Sequence, residues 1–336
     1  MPHVAQLMNN GTRKESLMAI LSGAGVDVMN ESLDYKQFEA LCAQLFGTDE
    51  VGEHEWRVRE VFELFDANAD GALNEEELHR CHEWINATVN PVNVLLIVDV
   101  QNDFIDGTLA LRKCEYGQDG AEVIKPINRL LKYGRWDKVI YSLDWHPEDH
   151  ISFFENLGKR EVHSESKVTK KSAKVFDTVV FSEPHVTQKL WPKHCVMNTW
   201  GAELHKDLHV VPSSEKVYKG QHPDKDAYSA FKEKDVDDTS QVEKILLAIG
   251  ATHLYVCGIA YDVCVKETCL DGLRLGYRLA VIDDCCRGVK ADDVKAAKSL
   301  IKKNGGLVTC SYNVLSMVNE GKRSLVMAHN AAKTMI

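Results

Sequence analysis

The chain has 336 residues, 44% hydrophobic and 27% charged, with 40 Lys and Arg against 50 Asp and Glu for a formal charge of -10. That length and composition bury a sizeable core and suggest about two domains. The acid excess argues against a nucleic-acid surface, no apolar run reaches the roughly 18 residues that span a bilayer, and no secretory leader opens the sequence. The expectation is a soluble protein of the cytoplasm, extending to the nucleus, with neither nucleic acid nor membrane among its partners; assembly into a homo-oligomer stays open. Ten cysteines without a secretion signal read as reduced thiols, and the adjacent Cys285 and Cys286 lack the second pair that a metal or redox site needs.

Residues 1 to 88 carry apolar positions every three or four residues, as in Val58, Val61, Phe62 and Phe65, and predict a small all-α domain. Within it "DANADGALNEEE" (66 to 77) has the spacing of an EF-hand loop. Asp66, Asn68 and Asp70 supply side-chain oxygens, Ala72 its carbonyl and Glu77 two more, while Gly71 permits the sharp bend; such an all-oxygen set suits Ca2+. Helices over 55 to 65 and 75 to 85 complete the motif. EF-hands usually pair, and the mate lies at 26 to 37, with Leu33 at its central apolar position. Val26 and Val28 stand where carboxylates belong, Glu31 replaces glycine and Gln37 replaces glutamate, so this partner packs without binding.

After "NATVNP" the texture changes, and 89 to 336 is expected to form the second domain. Near-continuous apolar runs at 92 to 100, 138 to 144, 253 to 259, 278 to 284 and 306 to 310 alternate with amphipathic stretches. The pattern implies an α/β fold, a three-layer α/β/α sandwich with a mostly parallel sheet whose ligands bind beyond the carboxyl ends of the strands. The basic stretch from 158 to 174, part of a longer insertion over 155 to 185, lacks apolar period and reads as a solvated loop.

Polar residues cluster at those strand ends. Asp99 interrupts the first apolar run, where a buried carboxylate must be paired or protonated; a capping role is equally consistent. Asp144 and His146 follow the second run two positions apart, with His150 close behind and His194 in "LWPKHCVMNTWGAEL". One carboxylate and two imidazoles suit zinc, iron or manganese. Lys219 is indistinguishable from a surface lysine by spacing alone. Cys264 falls near the start of an expected helix, where the dipole favours a thiolate, although core packing fits as well. Cys257, inside a strand, reads as inert.

"VDVQNDF", "DWHP..HISF", "WP.HCV.NTWGAEL", "KG.......YSAF" and "CGIAYDVCV" occur in order and, over 92 to 312, this part of the chain resembles the nicotinamidases of the isochorismatase-like cysteine hydrolases. The resemblance implies a triad of Asp99, Lys219 and Cys264, and metal ligation, most readily of Zn2+ with Fe2+ or Mn2+ as alternatives, by Asp144, His146 and His194. His150 matches a position that is a ligand only in some relatives. It further implies an oxyanion hole from the N–H groups of Ala260 and Cys264 beside a cis Ile259–Ala260 peptide, and aromatic walls from Phe104, Trp191 and Tyr228. The implied reaction is hydrolysis of nicotinamide to nicotinic acid and ammonia through a cysteine thioester, feeding NAD salvage, with the bound metal holding the pyridine nitrogen. The added EF-hand domain is similar to that of animal nicotinamidases; the insertion departs from the pattern and is expected near the metal side. Two other readings stand beside this one: a related amidase or vinyl ether hydrolase, and a calcium-responsive binding protein on an inactive scaffold.

Overall fold

The structure is a computed structural model and describes residues 32–233 and 238–335. The mate loop's first half, 26 to 31, lies outside the described residues.

The chain enters through β1 (Leu33–Asp34), α1 (Tyr35–Phe46), α2 (Thr48–Glu53) and α3 (Glu55–Phe65), then β2 (Ala72–Leu73) and α4 (Glu75–Val89). Both α1 and α4 start from reciprocal caps. The Gln37 N–H donates to Asp34 Oδ1 and the Asp34 N–H to Gln37 Oε1, both at 2.9 Å, and Asn74 and Glu77 repeat the device. The predicted helix over 55 to 65 is found as α3; the one over 75 to 85 runs four residues further. Strands β1 and β2 pair antiparallel with Leu33 opposite Leu73, so the two apolar loop positions meet in the core. Phe38, Phe62, Phe65 and Trp84 fill that core, each aromatic contributing roughly 1.5–3 kcal/mol by leaving water.

The second body comprises β3 (Asn93–Val98), α5 (Asn102–Ile105), α6 (Ile124–Tyr133), β4 (Lys138–Asp144), β5 (Thr178–Phe181), β6 (Val186–Lys189), β7 (Glu215–Lys219), α7 (Gln241–Ala248), β8 (His253–Ile259), α8 (Lys266–Arg274), β9 (Arg278–Arg287), α9 (Ala291–Lys303), β10 (Leu307–Thr309), α10 (Ser311–Glu320) and α11 (Leu325–Ala332). Six strands form one sheet in the order β10-β9-β8-β3-β4-β7, and every ladder is parallel. Central β3 is buried at all six positions, as its unbroken apolar run requires. Gly258 shows how tightly the middle strands approach: at φ +122°, an added Cβ would lie 2.0 Å from the Val98 carbonyl oxygen.

Three strands depart from the sequence expectations. Edge strand β7 carries three charged residues, Glu215, Lys216 and Lys219, in five positions, which hid it. The insertion, expected as a solvated loop, contains the antiparallel hairpin β5–β6, seated on a small core of Ile151, Leu157, Val179, Phe181 and Leu190. Helix α11, late in the chain, packs into the helical cluster through Leu325, Ala328 and Ala332. There the Trp84 indole N–H donates to the Ala328 carbonyl at 2.8 Å, and Arg278, at the start of β9, donates to the Trp84 carbonyl at 3.1 Å.

Candidate active site

The carboxyl ends of β3, β4, β7 and β8 deliver the polar residues to one place. Asp99 follows β3 at φ +50°, a left-handed conformation that aspartate tolerates better than most residues. Asp144 ends β4 opposite Lys219, which ends β7. Cys264 lies beyond β8 in a π-helical turn over Tyr261–Val265, immediately ahead of α8. Sequence spacing could not relate Lys219 to the others; strand pairing does.

Lys219 is the hub. Its ammonium, fully buried, lies 2.8 Å from Asp99 Oδ2, 3.4 Å from Cys264 Sγ and in direct contact with Asp144 Oδ1. Oxygens of Asp99 and Asp144 and the Cys264 sulfur all fall within 4.8 Å of one another. Ser142 donates to Asp99 Oδ1 at 2.7 Å, leaving Oδ2 on the Lys219 side.

Burial opposes every charge here, and the pairings decide which survive. Burial lowers the Lys219 ammonium, yet Asp144 and Asp99 outweigh it and hold the group well above its ordinary range. Burial also penalises Asp144, but Lys219 and His146 keep it well below a normal carboxyl. Asp99 is raised: burial dominates, the neighbouring Asp144 adds to it, and Lys219 offsets only part. Burial pushes the Cys264 thiol well up against the pull of Lys219. Burial therefore works against the thiolate that the helix start favours, because the site is dry as well as near a helix start.

Asp144 turns its second oxygen towards two imidazoles, with His146 Nε2 at 3.6 Å and His194 Nε2 at 3.8 Å from Oδ2. Each ring is oriented from behind. His146 Nδ1–H donates to the Gly220 carbonyl at 2.8 Å and His194 Nδ1–H to the Pro192 carbonyl at 2.7 Å. Those bonds place the free lone pairs on Nε2, as metal ligation requires. Gly220 makes the backing possible, since at φ +68° any Cβ would lie 2.3 Å from the His146 ring. His150 stands outside the trio. It stacks on His146 with centroids 4.1 Å apart, bonds Ser152 through Nδ1 at 2.8 Å, and is driven down to about 3 by burial and by the neighbouring imidazole.

Phe104, Trp191, Tyr228, Val263 and Ala260 line the cleft that opens onto Cys264, His146 and His194. The Trp191 indole N–H donates to Tyr228 Oη at 3.1 Å, which locks that corner. The Ile259–Ala260 peptide is cis. The Ala260 carbonyl accepts from the N–H groups of Val263 and Val265, both at 3.1 Å, on either side of Cys264.

Several supporting residues escaped the sequence reading. Ser142 shares the face of β4 with Asp144, a period-two signal that "YSLD" carried. Gln101 clamps Asp144 from both sides, donating to its carbonyl and accepting from its N–H at 2.8 Å each. Asp103 accepts from the Cys195 N–H at 2.7 Å, which holds the segment bearing His194. Asp226 approaches His146 and His150, and nothing in its flanking sequence marked it.

Comparison with known proteins gives this constellation a lineage. A family model described as the isochorismatase domain matches residues 93–312. The chain is 34% identical over 222 residues to a nicotinamidase of Escherichia coli strain K12, covering 65% of this chain and 94% of that protein. It is 37% identical over 198 residues to a nicotinamidase of Acinetobacter baylyi, covering 58% and 81%. Among solved structures, an Acinetobacter baumannii nicotinamidase/pyrazinamidase superposes with a TM-score of 0.55 at 33% identity over 66% of this chain and 98% of that one. The yeast nicotinamidase does so at 0.53 and 30%, over 65% and 99%. A shared fold and a match spanning well over half the sequence lead to one conclusion: this chain belongs to the isochorismatase family.

Proposed function

We propose that the protein is a nicotinamidase, hydrolysing nicotinamide to nicotinic acid and ammonia with Cys264 as nucleophile. The observation that carries the reading is the convergence of Lys219 on Asp99, Asp144 and the Cys264 thiol, in a chain whose relatives at 34–37% identity are nicotinamidases.

Asp99 takes the thiol proton as Cys264 Sγ bonds to the carboxamide carbon, and Lys219 stabilises the charge left on both partners. The carbonyl oxygen becomes an oxyanion facing the Ala260 and Cys264 N–H groups, each donor contributing on the order of 3 kcal/mol. Asp99 then returns its proton to the amide nitrogen, the C–N bond breaks and ammonia leaves a thioester. Water gives a proton to Asp99 and its oxygen to the acyl carbon; cleavage of the C–S bond regenerates the thiol and frees the acid. Phe104, Trp191 and Tyr228 flank the ring and keep bulk water off the intermediate.

The donor set of Asp144, His146 and His194 fits a zinc-class divalent metal, because both Nε2 atoms carry lone pairs on the side of the one carboxylate. Such an ion supplies a Lewis-acid position for the pyridine nitrogen and fixes the ring with its carboxamide towards Cys264. The metal role of His150 is set aside, since its Nε2 is turned to the Lys225 carbonyl at 3.2 Å and its Nδ1 to Ser152. The test of the whole reading is ammonia release from nicotinamide by the purified protein. Activity that disappears in Cys264→Ser supports it, and a metal-loaded wild type that releases no ammonia refutes it.

We further infer two modules joined near residue 88, with Ca2+ held by the loop of the first. Supporting this, Asp66 accepts from the Asp70 and Gly71 N–H groups and Asn68 from Asp70, which gives the loop the tight turn such a site needs. Glu77 reaches back across the loop to the N–H groups of Ala67 and Asn74.

A further inference from the structure

A second cluster of metal-ligand chemistry stands on the insertion, outside the site described above. Glu165 Oε2 lies 3.5 Å from His163 Nδ1 and 3.4 Å from His185 Nε2, and the two rings meet edge to face with centroids 4.8 Å apart. We propose that His163, Glu165 and His185 form a binding site for a zinc-class divalent cation.

The spacing is the argument. For bonds of about 2.05 Å at tetrahedral angles, ligand atoms sit roughly 3.4 Å apart. The two separations from Glu165 Oε2, 3.5 and 3.4 Å, lie close to that value. The set of two imidazoles and one carboxylate leaves a fourth position for water and prefers Zn2+, Cu2+ or Ni2+ to Mg2+ or Ca2+, which favour all-oxygen shells. His163 Nδ1 accepts from the Glu165 N–H at 3.3 Å, so this nitrogen is the unprotonated one, and ligation exchanges that long hydrogen bond for the ion. All three side chains are open to solvent, which gives an ion access.

The scaffold is anchored although the residues are exposed. The His163 N–H donates to the Val180 carbonyl of β5 at 2.8 Å, and Val162 bridges antiparallel to Phe181. The hydroxyl of Ser166, next to Glu165, accepts from the Val180 N–H at 3.2 Å. His185 immediately precedes β6, whose far end leads into Leu190 and Trp191. Phe181 and Leu190 share one buried cluster. A bound ion would thus cross-link three stretches of the insertion.

The test uses untagged full-length protein, equilibrated with micromolar free Zn2+ in calcium-containing buffer and analysed for zinc per chain. Wild type is expected to hold one equivalent more than His163→Ala/His185→Ala, with nicotinamide hydrolysis equal in the two because neither residue touches the cleft. Co2+ in place of zinc should give a d–d absorption component that the double variant and Glu165→Gln both lose. Equal zinc content in wild type and double variant, or a cobalt spectrum unchanged by either substitution, overturns the proposal.

Discussion

Replacing Gly220 by alanine probes the link between backbone conformation and the metal trio. The new Cβ would lie 2.3 Å from His146 Cε1 and 2.5 Å from Nδ1, where carbon contacts need about 3.5 Å. The ring must therefore retreat by about 1 Å, and the 2.8 Å bond from Nδ1 to the Gly220 carbonyl cannot survive that shift. Losing such a backing bond typically costs about 10–100-fold in metal affinity. Left-handed backbone adds about 1–2 kcal/mol of strain, and overpacking about 1–3 kcal/mol more. Gly117 separates the two costs, since its φ is +66° but an added Cβ meets nothing within 4 Å; Gly117→Ala should show the strain alone. Zinc affinity by equilibrium dialysis, in a His163→Ala/His185→Ala background so that only the trio reports, and stability by urea denaturation give both quantities. A Gly220→Ala protein that keeps wild-type zinc affinity and loses no more stability than Gly117→Ala would falsify the role given to this glycine.

Asp99→Asn removes the proton carrier while keeping its shape, and ammonia release should fall about 10²–10⁴-fold; a loss confined to KM would count against a proton-transfer role. Glu77→Gln should weaken calcium binding on the order of tenfold or more, read by calorimetry, and an unchanged affinity would discount the loop as the site. Burial and the charge of Arg278 hold His253 well below its ordinary range. The unfolded chain takes up a proton below about pH 6.5 where the folded one does not, so stability is full above that pH and declines as pH falls, by up to about 1.4 kcal/mol per unit. His253→Gln should flatten that decline in denaturation curves taken at mildly acid pH, and an unaltered slope would dismiss His253 as a contributor. Trp84→Ala empties the centre of the helical cluster and should cost about 3–5 kcal/mol; a loss under 1 kcal/mol would show that the cluster adapts.

The parallel sheet was legible because β3, β4, β8 and β9 are apolar on both faces, a pattern that few other environments demand. Strand β7 and hairpin β5–β6 were not, since a five-residue edge strand with charged residues and a polar hairpin carry no such signature. Within the site, Asp144 and His146 were readable from their spacing at the end of one strand, whereas Lys219 gained meaning only by lying beside Asp144 across a ladder. The burial that opposes a Cys264 thiolate escaped the sequence for a related reason. A dipole can be inferred from a helix start, but depth of burial depends on segments far apart in the chain. Ser142, Gln101 and Asp103 act by orienting others, and that geometry exists only after folding.

Helix α11 ties the ends of the molecule together. Its apolar side completes the core built by α1, α3 and α4, and His329 on it lies 2.9 Å from Glu60 of α3 and 2.8 Å from Arg57. Cutting the polypeptide near residue 88 would not yield two self-sufficient pieces: the catalytic half would keep a helix whose greasy side had lost its cover, and the other half would miss a wall. Conversely, any reorientation of the helices flanking the 66 to 77 loop would lever directly on α11 and, through Arg278, on the strand next to the one that leads to the nucleophile. Communication between loop and thiol would then run through α11 and through the Arg278–Trp84 bond, not through the short linker at 90.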